Sequence, residues 1–202
     1  MTTLRQSYTS FRYLVRSVRW VELAVSGLIV FFARQLSHLS FDPLPVAAVF
    51  ALGFAWNLAF WHAGRRHLLV ERGVEGHRLL MGSWLAADVV TTLLIIHFTG
   101  LTSSPFLFLL AFPVILSTAV SDDSRVSYTV VGGSLAGFAA LWGMESAGSI
   151  PHFASYPPAV DGLFRKADVA WGMLLMLGAV LSLIVFTIHR FRPNFALFRE
   201  GF

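Results

Sequence analysis

The stretch DVVTTLLIIHFTGLTSSPFLFLLAFPVILSTAV, residues 88–120, decides the fold. Two apolar runs lie on either side of a turn of a few residues holding Gly100 and Pro105. A bilayer crossing needs about 20 apolar residues. The run before the turn reaches back to Leu79 and ends at Phe98, and the one after it runs from Ser104 to Val120. Each is near that length, so the pair predicts two spans joined by a tight connection. Pro105 falls at the first turn of the second span, where its missing N–H costs nothing, and Ser103 or Ser104 is placed to cap it. A helix starting there would aim its free N–H groups at the membrane interface. A carbonyl of a small amphipathic ligand would fit against them, with Phe106 and Phe108 as stacking rings.

Outward from this hairpin, four more apolar stretches appear: Val18–Phe32, Pro43–Ala63, Val126–Gly143 and Ala167–Ile188. The expectation is an all-α integral membrane protein, a six-helix bundle. It comprises a basic N-terminal segment at 1–17, a membrane domain at 18–191 and an interfacial tail at 192–202. Composition agrees: 56% of the 202 residues are hydrophobic and only 13% charged. That is about half the charged fraction of a soluble domain, and a water-soluble fold of this size could not bury so much apolar surface.

Basic residues set the orientation. Arg5, Arg12, Arg16, Arg19, Arg65, Arg66, Arg72, Arg78, Arg125, Arg190, Arg192 and Arg199 fall on one side, and Arg34, Arg165 and Lys166 on the other, 12 against 3. The positive-inside rule then puts both termini in the cytoplasm, in a bacterial inner membrane. The net charge of +4 is explained by these loops and by anionic headgroups, so nucleic acid is not expected as a partner. There is no cysteine, which excludes disulfides and thiolate chemistry. No nucleophile–base pair or metal motif stands out, so the chain is read as no enzyme and no metal site is expected.

Polar residues inside a span each need a reason. Asp88 lies in the third span with Thr91 and Thr92 on its face. It is either a proton-linked or ligand-binding carboxylate or a hydrogen-bonded packing residue. His97, near the outer end of the same span, is a candidate hydrogen-bond partner for a quinone carbonyl, a candidate ligand of haem or pigment, or an interfacial histidine. Bis-histidine haem needs two histidines at matched depth. The outer side offers His38, His97 and His152, and the inner side His62 and His189. Asn57 and Glu22 are expected near inner ends, reaching headgroups or each other. Gly133 and Gly137 in GxxxG spacing predict close helix packing, and Pro113 predicts a kink in the fourth span.

The same central stretch resembles the membrane region of the RegB/PrrB redox-responsive sensor histidine kinases. That family has six spans and a Gly-Gly-x-x-Asn-Pro-Phe heptapeptide between the third and fourth, associated with ubiquinone sensing. Here the corresponding residues are Gly100, Leu101, Thr102, Ser103, Ser104, Pro105 and Phe106. Gly100, Pro105 and Phe106 match, Leu101 replaces the second glycine and Ser104 the asparagine. Asp88, Pro113 and the entry FRYLVRSVRWVELAVSG, residues 11–27, are also similar. The resemblance implies a quinone-sensing domain with the ligand near Gly100–Phe106 and His97, signalling to a cytoplasmic partner or acting as a homodimer. No phosphoacceptor helix or nucleotide-binding domain is expected within these residues. The alternative is an accessory subunit contacting lipid, quinone or pigment among the other subunits of a respiratory or photosynthetic complex.

Overall fold

The computed structural model describes residues 19–37, 39–65, 73–121, 123–156, 162 and 166–200. The chain there is helical, with no strand among the described residues. Six α-helices follow in order: α1 (Arg19–Leu36), α2 (Pro43–Arg65), α3 (Gly73–Phe98), α4 (Ala111–Val120), α5 (Ser124–Ser146) and α6 (Ala167–Glu200). Two 3-10 helices, Leu101–Ser103 and Leu107–Leu110, stand between α3 and α4. The expected N-terminal segment 1–17, and with it the orienting arginines Arg5, Arg12 and Arg16, lies outside the described residues, as do His38 and the 66–72 connection.

Four segments are long and apolar enough to cross a membrane: Pro43–Ala63, Leu79–Phe98, Ser124–Ser146 and Ala167–Phe191. The most apolar windows of α2 and α6 are only 22% buried in the protein, against 56% in α3. α3 is therefore the central helix, and α2 and α6 turn apolar flanks outward. Leu44, Leu52, Leu175, Leu183 and Phe186 are all exposed there, a surface suited to lipid contact rather than water. α3 packs on α2, α4 and α5, while α6 packs on α4 and α5. One buried cluster joins α3 to α4, α5 and α6 through Trp84, Val114, Phe138, Leu181 and Val185. A second joins α1, α2 and the end of α3 through Val30, Phe41, Val46, Ile95 and Phe106.

Several sequence expectations are corrected here. The fourth apolar run does not become a helix from Ser104. Ser104 is extended, and the α-helix begins only at Ala111, after the second 3-10 helix. At 1.5 Å per residue the 10-residue α4 spans about 15 Å, half of a hydrocarbon core. No helix N-terminus therefore stands at Pro105. Pro113 is the third residue of α4, inside the helical run that the second 3-10 helix opens at Leu107. Asn57 is fully buried and does not reach headgroups. α6 continues through Pro193 to Glu200, so the segment expected as an interfacial tail is helical as far as Glu200.

The glycine pair divides in function. A Cβ on Gly137 would collide with the Leu93 side chain, whereas one on Gly133 would meet nothing. Gly137 thus brings α5 against α3 within one chain. Gly133 lies on the wall of an apolar groove with Gly82, Leu85, Val89 and Val130.

Candidate functional site

The connection after α3 is sunk into the protein. Thr99, Leu101, Thr102, Ser103, Ser104 and Phe106 are each buried. Irregular backbone away from water must find partners for its polar groups, and this explains the run of small hydroxyl residues. Ser103 Oγ donates to Gly100 O at 2.8 Å. Thr99 Oγ1 donates to Ile95 O at 2.7 Å, so the 2.7 Å contact between Thr99 Oγ1 and Ser104 Oγ uses the Ser104 hydrogen. Ser104 Oγ in turn accepts from the Phe106 N–H at 3.2 Å. Gly100 adopts φ +107° and Leu101 φ +44°. The left-handed region is costly for leucine, and here its fully buried side chain offsets that cost.

A segment from beyond α5 closes over this turn. Residues 151–156 form a strap. Ser155 Oγ donates to Thr99 O, and Ser40 N donates to Ser155 O at 3.3 Å. Phe153 sets its ring edge-on to His97 at 5.2 Å and to Phe98 at 5.0 Å between centroids. The strap thereby ties the ends of α3 and α5 to the α1–α2 connection.

Under the strap lies the strongest chemical feature of the protein. Glu145, in the last turn of α5, places Oε1 2.6 Å from His97 Nδ1 and Oε2 2.7 Å from His152 Nδ1. The side chains are 7% (His97), 6% (Glu145) and 14% (His152) exposed. As a carboxylate, Glu145 has no hydrogen to give, so each ring presents its Nδ1–H to it. Such charge-assisted bonds are about twice as strong as neutral ones. They also fix the tautomer: a neutral ring that carries its proton on Nδ1 has Nε2 as its acceptor. Among the described residues no group of three His, Asp or Glu side chains is arranged to hold a metal ion.

The expected site residues fall into distinct places. His97, Gly100, Ser103, Ser104 and Phe106 share the turn and the cluster, with half-buried Pro105 between them. Phe106 and Phe108 do not face one ring: Phe106 is buried with its edge on Phe41 at 6.1 Å, while Phe108 is half exposed on the outer flank. Asp88, Thr91 and Thr92 are buried, but Asp88 lies nine residues before His97, about 13 Å along α3, in a separate layer. Thr91 there donates to Ala87 O at 2.7 Å. His62 is exposed on α2, and His189 lies 3.4 Å from Ser127 Oγ. Glu145 is the site residue that sequence reasoning missed, and His152, considered there only as a haem-ligand candidate on the outer side, joins His97 through it.

Comparison with known proteins gives no family for the chain: no family model matches it, and no curated protein or solved structure is significantly similar.

Proposed function

We propose that this chain is a membrane-embedded sensing domain that binds a quinone head at the pole formed by His97, Glu145 and the turn Thr99–Phe106. In this reading the chain makes six crossings of a bacterial inner membrane, α1 and α4 being the short ones, with both termini in the cytoplasm. The pole then lies at the outer interface, where a membrane quinone's head resides. The resemblance of residues 100–106 to the redox-sensing heptapeptide points to the same ligand.

The observation that carries the proposal is the buried carboxylate held between two imidazoles at the end of α3. A quinone and its quinol differ by protons as well as electrons, so a site that distinguishes them benefits from a group that exchanges protons. With its Nδ1–H on Glu145, His97 accepts a quinol hydroxyl at Nε2. As an imidazolium it donates to a quinone carbonyl from the same atom. The cavity beside Glu145 is only about 10 Å³, so head-group binding requires the strap to shift. Two packings of the strap, biased by occupancy, are the element through which a signal would pass to a cytoplasmic partner.

The test is purification of the full chain in mild detergent, followed by extraction and chromatography of bound quinones. Wild type should carry quinone, and Glu145→Gln should carry about tenfold less, a loss of roughly 1.4 kcal/mol. Wild type that neither carries quinone nor binds added quinone refutes the proposal. Stoichiometric recovery within a respiratory or photosynthetic complex would instead favour the accessory-subunit reading.

A further inference from the structure

Below Glu145, the buried face of α5 changes character in two steps. Trp142 is three residues before Glu145 and Phe138 four before Trp142, a spacing that aligns all three along one side of the helix. The small cavity at the top is lined by Thr102, Trp142, Glu145 and Ser146. The Trp142 Nε1–H is buried and meets no acceptor. Indole nitrogen only donates, and a buried donor without an acceptor is an unfavourable arrangement that few proteins keep without cause. The ring itself is fixed, edge-on to Trp171 at 6.2 Å.

One turn further along, Phe138 forms the back wall of a second cavity of about 210 Å³ between α5, α6 and the second 3-10 helix. Leu107, Phe108, Met173, Met176, Leu177 and Val180 complete it, and every lining side chain is apolar. Phe108 and Met176 are well exposed on its rim, so this groove opens sideways toward the bilayer. Its wall at Leu107 and Phe108 continues directly from Pro105 and Phe106 of the turn.

The cavity with the waiting donor and the lipid-facing apolar groove thus lie about one helical turn apart on the same side of α5, at Trp142 and Phe138. We infer that the site takes a lipid-tailed ligand with a neutral carbonyl head: Trp142 Nε1–H donates to the carbonyl, and the tail lies in the groove between α5 and α6. The identity of the head rests on the quinone reading above. The tail site and the donor rest on α5 and α6 themselves. The occupant is one tail of that ligand because the wholly apolar groove opens to the membrane one turn of α5 from the donor, within reach of a tail whose head sits at Trp142. Met176 and Phe108 suit a flexible, unsaturated chain, since methionine adapts its shape and aromatic faces accept it. A fatty acid is disfavoured, because its carboxylate would stand beside that of Glu145.

The experiment measures binding of a decyl-tailed benzoquinone and of the same head without a tail, by equilibrium dialysis against the full chain in nanodiscs. Leu177→Trp fills the groove, and Val180→Phe does so by a second route. Either should weaken the tailed quinone about tenfold and leave the tailless one unchanged. Trp142→Phe, which removes only the N–H, should weaken both by a similar factor, and a carboxylate-headed fatty acid should not compete. Unfolding temperatures near wild type verify that the variants fold. If wild type binds both quinones but neither groove variant distinguishes them, the tail site is overturned while the quinone reading stands. If Trp142→Phe changes neither affinity, the donor assignment is overturned. If wild type binds neither quinone, the quinone reading fails and this inference falls with it.

Discussion

Replacing Glu145 with glutamine keeps the shape of the side chain and removes its charge. The two imidazole contacts at 2.6 and 2.7 Å are then unequal. The amide oxygen accepts from one Nδ1–H, but the amide nitrogen faces the other ring, which must move its proton to Nε2 to accept. Hydrogen bonds to charged groups contribute about 1.5–3 kcal/mol and neutral ones about 0.5–1.5, so two conversions cost about 2 kcal/mol. For a chain of this size each kcal/mol corresponds to about 2–4 °C in Tm, giving an expected drop of about 4–8 °C. Glu145→Ala leaves two buried N–H groups without an acceptor, at about 1–3 kcal/mol each, and should fall roughly twice as far. Because the cluster is buried, added salt should change these differences little. His152→Ala should cost less in the glutamine background than alone, as expected for residues sharing one network. The assay is thermal unfolding in detergent followed by tryptophan fluorescence. If Glu145→Gln and Glu145→Ala both unfold with wild type, the cluster does not hold this end of the protein together.

Gly137→Ala should destabilise by about 1–3 kcal/mol, since its Cβ would collide with Leu93, whereas Gly133→Ala, with nothing in its way, should be close to neutral in the same unfolding assay. Phe153→Ala removes the ring covering His97 and Phe98 and should speed hydrogen exchange at the Thr99 and Gly100 amides while leaving mid-α3 amides protected. The cysteine-free chain suits topology mapping. With six spans, Ser149→Cys should react with an impermeant maleimide added outside intact cells, and Arg125→Cys only after permeabilisation.

Hydropathy and length made most of the helices legible. The spans Pro43–Ala63 and Leu79–Phe98 have the bounds expected from the sequence, and those at 126–143 and 167–188 extend by a few residues. The fourth run was misjudged because hydropathy registers polarity and not hydrogen-bond pattern. Between Pro105 and Pro113 the chain is as apolar as a helix, yet it turns through 3-10 geometry that only the neighbouring helices and the strap explain. The conformation at Gly100–Leu101 was half legible. Gly100 signalled a turn, but nothing in the sequence indicated that Leu101 would also take a positive φ. The site was legible on the α3 side, where His97 and the hydroxyl residues stand in one stretch. Its other half was not. Glu145 lies at the very end of an apolar run, where an acid normally reaches water, and His152 belongs to a segment with no periodicity. Their meeting with His97, 48 residues before Glu145, depends on the α3–α5 contact that Gly137 permits. Two histidines assigned to the same membrane face, His97 and His152, were the one available signal.

The central claim is that Glu145 and His97 exchange a proton with a bound quinone. Infrared difference spectroscopy on the purified full chain, recorded as bound quinone is reduced and reoxidised, tests this most directly. The account predicts carboxyl and imidazole bands that reverse with each redox cycle, with the carboxyl band missing in Glu145→Gln. A quinone signal unaccompanied by any carboxyl or imidazole change, or one identical in the variant, would contradict it.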